Sequence, residues 1–103
     1  MPPPQLSEQQ RRDALAKAAE ARRMRAEIKD LLKMGSISFP ELLAKVDRDD
    51  IVAGIKVSSV LESMPGLGKV KAKRLMEQHG IAETRRLRGL GERQRAALLS
   101  EFS

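Results

Sequence analysis

Residues 61–76 read LESMPGLGKVKAKRLM, and this stretch decides the fold. Apolar residues at its start lead into a Pro-Gly-Leu-Gly turn, and apolar residues then recur at helical spacing. Gly66 and Gly68 can adopt a positive φ, and neither has a Cβ that would keep an anion away from the backbone. The N–H groups that open the next helix are unpaired and lie at the positive end of its dipole. The stretch therefore predicts two helices joined by a turn that binds an anion such as phosphate.

Four cations begin the second of these helices, namely Lys69, Lys71, Lys73 and Arg74. Together with the two glycines and the spacing of the apolar residues, they match the pattern of the helix–hairpin–helix motif that binds DNA without sequence preference. The whole pattern in register is more specific than a lone Gly-x-Gly. The alternative interpretation is a tight turn between two core helices whose lysines are solvated.

The composition excludes several classes of protein. A chain of 103 residues has room for one domain with one modest core. It contains no Cys, which excludes disulfides and cysteine-ligated metal, and no apolar run is long enough to span a membrane. The Met-Pro-Pro-Pro start lacks the apolar region of a signal peptide, so we expect a cytoplasmic protein. We also expect no cofactor and no bound metal.

The two aromatic residues, Phe39 and Phe102, also bear on the ligand. Proteins that bind single strands without sequence preference stack bases on aromatic side chains. With so few aromatic rings in the chain, we expect the backbone of a duplex to be the ligand.

The positive charge is concentrated in the second part of the chain. The formal net charge is +6. Residues 1–63 carry 11 Lys and Arg against 10 Asp and Glu, whereas residues 64–103 carry 9 against 4. Net charge alone indicates long-range attraction and non-specific association. Its concentration around a phosphate-binding turn makes nucleic acid the expected partner.

Capping residues and periodicity predict an all-α protein. The predicted segments are an extended Pro-rich tail over 1–6, a long N-terminal helix over 7–34, and a compact helical DNA-binding domain over 36–103 with its binding module at about 57–103. Ser7 and Gln10 form a capping box at the start of the long helix, and Gly35 ends it. Ser38 and Glu41 form a second capping box.

The long N-terminal helix sorts its side chains into ridges. Its only apolar stripe covers the C-terminal half and consists of Met24, Ile28, Leu31 and Leu32. The basic ridge beside this stripe consists of Arg22, Arg25, Lys29 and Lys33, with Arg11 on the same line. The acidic residues on the other side are Glu20, Glu27 and Asp30. A merely solvated helix intersperses its charges, so we predict that the basic ridge contacts DNA. The alternative is a solvated face with i,i+4 ion pairs.

A second Gly-Leu-Gly stands at residues 89–91, where it again precedes a charged helix, and it is interpreted as a degenerate repeat of the first turn. The arginines around it are Arg85, Arg86, Arg88, Arg93 and Arg95. Arg95 falls on the apolar side of its helix, so either a half-buried ion pair or a ligand contact fits it. The other four have few acidic neighbours, and we predict that they hold a second run of phosphates beside the first turn.

A glycine hairpin, a basic helix, two turns and a closing helix resemble the helix–two-turns–helix module of a small-subunit ribosomal protein and of formamidopyrimidine-type DNA glycosylases. The chain more closely resembles the actinobacterial integration host factor family of nucleoid-associated proteins. The likeness lies in GKVKA at residues 68–72, in TRRLRGLGERQR at residues 84–95 and in the Ala/Arg-rich N-terminal helix. These motifs are long and ungapped, and the resemblance covers nearly the whole chain.

This resemblance implies duplex DNA held with little sequence preference by the module and by an arginine-bearing long helix. It also implies roles in DNA bending or compaction, topology, integration and transcription in the nucleoid. The residues by themselves predict a protein that binds the backbone of duplex DNA. We further expect it to be monomeric in the absence of DNA and to bind no membrane.

Other functions fit the sequence less well. A glycosylase of this type would use an N-terminal proline amine, but Pro2 lacks the carboxylate that follows it in that family, and no β-rich domain is present to form a base pocket. A metal nuclease needs converging carboxylates, whereas Asp47, Asp49 and Asp50 fit a helix cap better. His79 is expected to be a core or capping residue. We therefore predict no catalytic activity. An RNA-binding or ribosome-associated protein with the same module is the alternative, and a protein adaptor is a third interpretation.

Overall fold

The computed structural model describes residues 7–102, and within them the fold is all-α, as predicted. The helices are α1 (Glu8–Lys33), α2 (Phe39–Ala44), α3 (Asp50–Ala53), α4 (Val57–Ser63), α5 (Gly68–Gln78) and α6 (Glu92–Glu101), with a 3₁₀ turn at Leu87–Gly89. An isolated antiparallel bridge joins Lys56 to Arg86. The predicted extended tail, residues 1–6, lies outside the described residues.

The helix α1 begins and ends at the capping residues that the sequence predicts. The Ser7 Oγ accepts the N–H of Gln10 at 3.1 Å, and the Gln10 Oε1 accepts the N–H of Ser7 at 2.9 Å. This reciprocal pair is a complete capping box. At the other end Gly35 has a φ of +73°, and the N–H of Ser36 donates to the carbonyl of Leu31 at 2.9 Å. These are the features of a Schellman C-cap, which satisfies the last carbonyl groups of the helix.

The first half of α1 projects away from the other helices. Every residue from 8 to 20 is exposed, and the molecule measures 55 × 29 × 26 Å. The predicted apolar stripe is only partly correct, because Met24 and Leu31 are 37% and 39% exposed whereas Leu32 is buried and Ile28 is half-buried. The helix packs on α3 and α4 along one edge of the stripe and leaves the other edge in solvent. No helix in the described part of the chain is both long and apolar enough to cross a bilayer.

The core lies among α2 to α6 and the C-terminal end of α1. Its largest fully buried side chains are Phe39, Leu32, Leu42, Leu61, Leu87 and Leu98. The rings of Phe39 and Phe102 lie with their centroids 5.1 Å apart at 48°, which joins α2 to the end of α6. Both aromatic rings of the chain are therefore used inside the fold and do not form a platform for stacking bases.

Polar side chains start the two short helices α2 and α3. The Ser38 Oγ accepts the N–H of Glu41 at 3.2 Å, but the Glu41 carboxylate bonds the Ser38 hydroxyl instead of its N–H, so only half of the predicted capping box forms. The Asp49 carboxylate accepts the N–H groups of Ile51 and Val52, which confirms its predicted capping role.

Candidate nucleic-acid interface

The Gly66-Leu67-Gly68 turn joins α4 to α5 and leaves backbone N–H groups open. Gly66 and Gly68 have φ values of +78° and +74°, and a Cβ at either position would meet nothing within 4 Å. No side chain caps α5, and among residues 7–102 no hydrogen-bond acceptor lies on the N–H groups of Gly68, Lys69 and Val70. Unpaired N–H groups at a helix N-terminus favour an anion, and the open space beside the glycines leaves room for one.

Three neighbouring cavities follow the exposed side of α4. They lie between α1, α5 and the Lys56–Arg86 bridge, and neighbouring cavities share lining residues such as Lys29 and Lys69. We call this feature the basic groove. Its cationic lining residues are Arg22, Arg25, Lys29, Lys33, Lys56, Lys69, Lys73 and Arg86. Its acidic lining residues are Asp30, Glu62, Glu77 and Glu83.

The whole basic ridge of α1 lines this groove. Lys29 and Lys33 line the same cavity as Gly68 of the first turn, whereas Arg22 and Arg25 line the neighbouring one. Small residues on α4 face the ridge. Ser63 is buried, and its hydroxyl donates to the carbonyl of Ser59 at 2.8 Å, so no bulky side chain separates the two helices there. Asp30 was predicted on the other side of α1 from the ridge, yet it also faces this groove. It lines the same cavity as Lys29 and Lys33, because the groove is wider than one ridge of the helix.

One end of the basic groove holds cations and no acidic residue; we call it the five-cation pocket. Its cavity of about 370 Å³ is lined by Arg22, Arg25, Lys29, Lys56 and Arg86, together with Ile55 and Ser59. Within the described chain none of the five cations has an ion-pair partner. The Arg86 Nη1 donates to the carbonyl of Gly54, and the Arg25 Nη1 lies 3.9 Å from where a Cβ on Gly54 would be. Uncompensated cations in a concave site produce a strong attraction for anions.

The four cations of α5 divide between two sides of the helix, because successive residues are about 100° apart. Lys69 and Lys73 line the basic groove. Lys71 and Arg74 are exposed on the side away from it, around Val70, which is 68% exposed. The structure therefore brings two of these four predicted residues to the groove and leaves the other two outside it.

The second Gly-Leu-Gly is a structural turn, and the prediction that it repeats the first is wrong. Neither of its glycines has a positive φ, and Gly91 lies at φ −73° and ψ 164°. Its backbone groups are bonded within the protein. The Arg85 Nη1 donates to the Gly89 carbonyl at 2.9 Å, and the Gly91 N–H donates to the Gln94 Oε1 at 3.1 Å. These flanking side chains satisfy the backbone without a positive φ. A Cβ on Gly91 would make only an ordinary contact, whereas a Cβ on Gly89 would meet the Cδ of Arg85 at 2.9 Å.

The five arginines around the second turn lie in different environments. Arg86 is the only one of them that lines the basic groove. Arg95 is half-buried and pairs with Asp47 at 3.6 Å, so the ion-pair interpretation is the correct one. Arg88 and Arg93 are exposed and line none of the three cavities. Of the four arginines predicted to bind phosphates beside the first turn, only Arg86 therefore lines the basic groove with it.

Sequence reasoning missed Lys56, which lines two of the three cavities. Its place is fixed by the isolated bridge, in which the N–H of Val57 donates to the carbonyl of Arg85 and the N–H of Leu87 donates to that of Ile55, both at 2.9 Å. A single cation in an apolar stretch gives little sequence signal. Its pairing with a segment about 30 residues away becomes visible only in three dimensions.

His79 lies away from the groove and has the predicted capping role. It is the C-cap residue of α5, and its N–H donates to the carbonyl of Leu75 at 3.2 Å. Its Nε2 lies 3.7 Å from the Oε1 of Glu101, so it joins the end of α5 to the end of α6.

The chain matches known proteins along most of its length. Residues 32–102 match the family model described as an S13-like H2TH domain. Proteins named integration host factor from Mycolicibacterium smegmatis and Mycobacterium tuberculosis are each 52% identical over 99 residues, covering 96% of this chain and 94% of the relative. The integration host factor of Streptomyces coelicolor is 50% identical and covers 96% and 92%. A solved structure of sIHF bound to an 8bp palindromic DNA has a TM-score of 0.82 and 50% identity, covering 85% of this chain and 99% of that one.

Proposed function

Because this chain belongs to the integration host factor family of actinobacteria, we propose that it is a nucleoid-associated protein that binds double-stranded DNA. The similarity to sIHF with bound DNA supports the same partner. The sequence relatives match over 96% of this chain, so that match includes α1 as well as the module that carries the two glycine turns. An RNA-binding or ribosome-associated role is correspondingly less favoured.

One structural observation carries the proposal: the α1 ridge and the open N–H groups of the first glycine turn converge on the basic groove. A phosphate at the turn can accept from the N–H groups of Gly68 and Lys69, with the Lys69 ammonium beside it. Further phosphates along the strand would then meet Lys29 and Lys33 on α1. Gly66 allows the turn and keeps its surface free of a side chain.

The proposed contact residues are Gly66 in the first turn and the glycine and cations that line the groove. The latter are Gly68, Lys69, Lys73, Arg22, Arg25, Lys29, Lys33, Lys56 and Arg86. The other exposed cations of the module strengthen the field that draws the duplex in, and they are Lys71, Arg74, Arg85, Arg88 and Arg93. All of these groups are backbone N–H groups or cations, which suit phosphates and carry little sequence information.

We further propose that the protein bends DNA. The glycine turn and the projecting α1 are two rigid elements that can grip one duplex at separate places. Smooth bending of a binding site costs of order 1–6 kcal/mol, which additional phosphate contacts along α1 can offset. This role is architectural and not catalytic, and it places the protein in the nucleoid.

The salt dependence of binding tests the proposal. With a fluorescently labelled duplex of arbitrary sequence, neutralisation of about six to eight phosphates gives a slope of about −5 to −7 in log K against log salt. A duplex RNA of equal length serves as the competitor, and we expect it to displace the DNA poorly. A flat salt dependence, a large preference for one arbitrary sequence, or stronger binding of the RNA would contradict the proposed function.

A further inference from the structure

We infer that the five-cation pocket is also a binding site for a free oligophosphate, meaning a short chain of linked phosphate groups such as tripolyphosphate or the triphosphate of a nucleotide. Such a ligand would compete with DNA for the same cations, and this competition rests on the proposed function. Binding of the oligophosphate itself rests only on the structure of the pocket.

The charge of the pocket is the first argument. Five cations from α1, the start of α4 and the bridge segment converge on it, with no acidic residue in its lining. Arg25, Lys29 and Arg86 are half-buried, so water and salt screen their mutual repulsion less than that of fully exposed side chains. An anion with several negative charges relieves this repulsion, and its affinity increases with the number of charges it brings into the pocket.

The shape of the pocket is the second argument. Its volume of about 370 Å³ lies within the usual range for small-ligand sites. The buried Ile55 and the hydroxyl-bearing Ser59 are also part of its lining, and the cations lie on several sides of the ligand space. A duplex is convex, so its phosphates would follow the rim of the groove. A compact chain of phosphates can enter the concave site and reach the cations that α1, Lys56 and Arg86 contribute to it.

The two arginines near Gly54 are suited to phosphate oxygens. Each guanidinium has five N–H donors in a planar fork that matches phosphate geometry. Arg86 uses one nitrogen on the Gly54 carbonyl, which fixes its orientation and leaves other N–H groups for a ligand. The rest of the basic groove is less suited to a compact polyanion, because Asp30 and Glu62 lie among its lysines.

Calorimetric titration of the full-length protein with sodium tripolyphosphate, without DNA and at constant ionic strength, tests the inference. The pocket variant is Lys29→Gln with Lys56→Gln, since neither side chain makes a hydrogen bond or ion pair within residues 7–102. The control is Lys45→Gln with Arg48→Gln, which removes the same charge from exposed positions that line no part of the groove. We expect the pocket variant to bind about tenfold more weakly or worse, and the control to stay within about twofold of the wild type.

Further titrations distinguish the sources of the ligand. Orthophosphate should bind far more weakly than tripolyphosphate, and a nucleoside triphosphate about as tightly, if the phosphate chain is what is recognised. A nucleoside triphosphate that binds while tripolyphosphate does not would overturn the inference, because the base and sugar would then carry the recognition. Equal weakening by the pocket and control variants would overturn it as well, since the binding would then reflect net charge alone.

Competition with DNA separates this inference from the proposed function. Added tripolyphosphate should displace labelled duplex from the wild type. When both proteins start at the same saturation with duplex, the pocket variant should need about tenfold more of it. A protein that binds duplex DNA with the expected salt slope but fails to bind tripolyphosphate disproves the pocket and leaves the proposed function intact. A protein that binds tripolyphosphate but no duplex disproves the proposed function and leaves the pocket intact.

Discussion

The two Gly-Leu-Gly segments are identical in sequence and differ in structure. At Gly66 and Gly68 both φ values are positive, and the N–H groups that follow have no acceptor within residues 7–102. At Gly89 and Gly91 both φ values are negative, and the backbone groups bond to Arg85 and to the side chain of Gln94. The first segment can therefore bind a ligand through its backbone, whereas the second has its backbone groups occupied by its own protein.

This difference shows that a Gly-x-Gly predicts an anion site only when its neighbours leave the backbone open. A Cβ on Gly66 or Gly68 would meet no protein atom, so internal crowding does not explain the glycines there. Their positive φ and the approach of an outside ligand explain them instead. At Gly91 an Ala could adopt the same backbone conformation, and the requirement for glycine is correspondingly weak.

The largest effect should come from reversing charge on the α1 ridge, which lines the basic groove together with Gly68 of the first turn, whereas neither glycine of the second turn lines it. Arg22→Glu with Arg25→Glu places two acidic residues in the basic groove, and we expect DNA affinity to fall about 100-fold, since like charges across an interface cost several kcal/mol. The bend angle, measured by fluorescence energy transfer across an end-labelled duplex, should fall as well.

The control for this variant is Lys17→Glu with Arg23→Glu, which makes the same charge change on exposed α1 positions outside the groove. We expect a clearly smaller loss, because only the long-range attraction changes. If both variants lose the same affinity, the ridge is an ordinary solvated face and the first turn binds DNA without it.

Alanine substitutions in the two turns test the comparison itself. Gly68→Ala places a Cβ in the path of a phosphate, and we expect about tenfold weaker binding. Gly35→Ala is the matched control for backbone strain, since its φ of +73° equals that of Gly68 within a degree and strain costs about 1–2 kcal/mol at both. Gly91→Ala should change neither stability nor affinity, because its Cβ would lie 3.8 Å from the Gln94 Oε1, an ordinary contact.

Thermal unfolding and duplex titration of these three variants provide the measurements. We expect Gly35→Ala to lose thermal stability and keep its DNA affinity, whereas Gly68→Ala should lose both. A Gly91→Ala protein that binds DNA as weakly as Gly68→Ala would show that the second turn is also a ligand site.

The smallest effect concerns Arg85 and Arg86, which are adjacent in sequence and differ in position. Arg86→Ala removes a cation from the groove and leaves the buried Gly54 carbonyl without its donor, so we expect a stability loss of about 1 kcal/mol and a salt slope reduced by about one unit. Arg85→Ala removes only an exposed bond to Gly89 and should keep the slope. If Arg85→Ala lowers the slope as much as Arg86→Ala does, the second turn contacts DNA directly.

The parts of the fold that depend on adjacent residues could be predicted from the sequence. The capping box of Ser7 with Gln10, the positive φ of Gly35 and the cap at Asp49 each involve a few neighbouring positions. Helical periodicity also placed Arg22 and Lys29 on one ridge. Such features are decided locally, and local rules were sufficient to identify them.

Features that depend on distant segments could not be predicted in this way. The Lys56–Arg86 bridge brings together residues 30 positions apart, and it decides which arginine of the second turn reaches the groove. The exposed edge of the α1 stripe, at Met24, depends on where α3 and α4 pack. The conformation of the second turn depends on Gln94, whose side chain occupies the Gly91 N–H.

The most direct test is an amide NMR spectrum of the protein labelled with ¹⁵N only at glycine. The chain has seven glycines, so each turn can be followed separately while a duplex is added. We predict that the signals of Gly66 and Gly68 shift in proportion to the bound DNA and return at high salt, while those of Gly89 and Gly91 stay in place. Shifts at Gly89 and Gly91 with Gly66 and Gly68 unchanged would contradict the account.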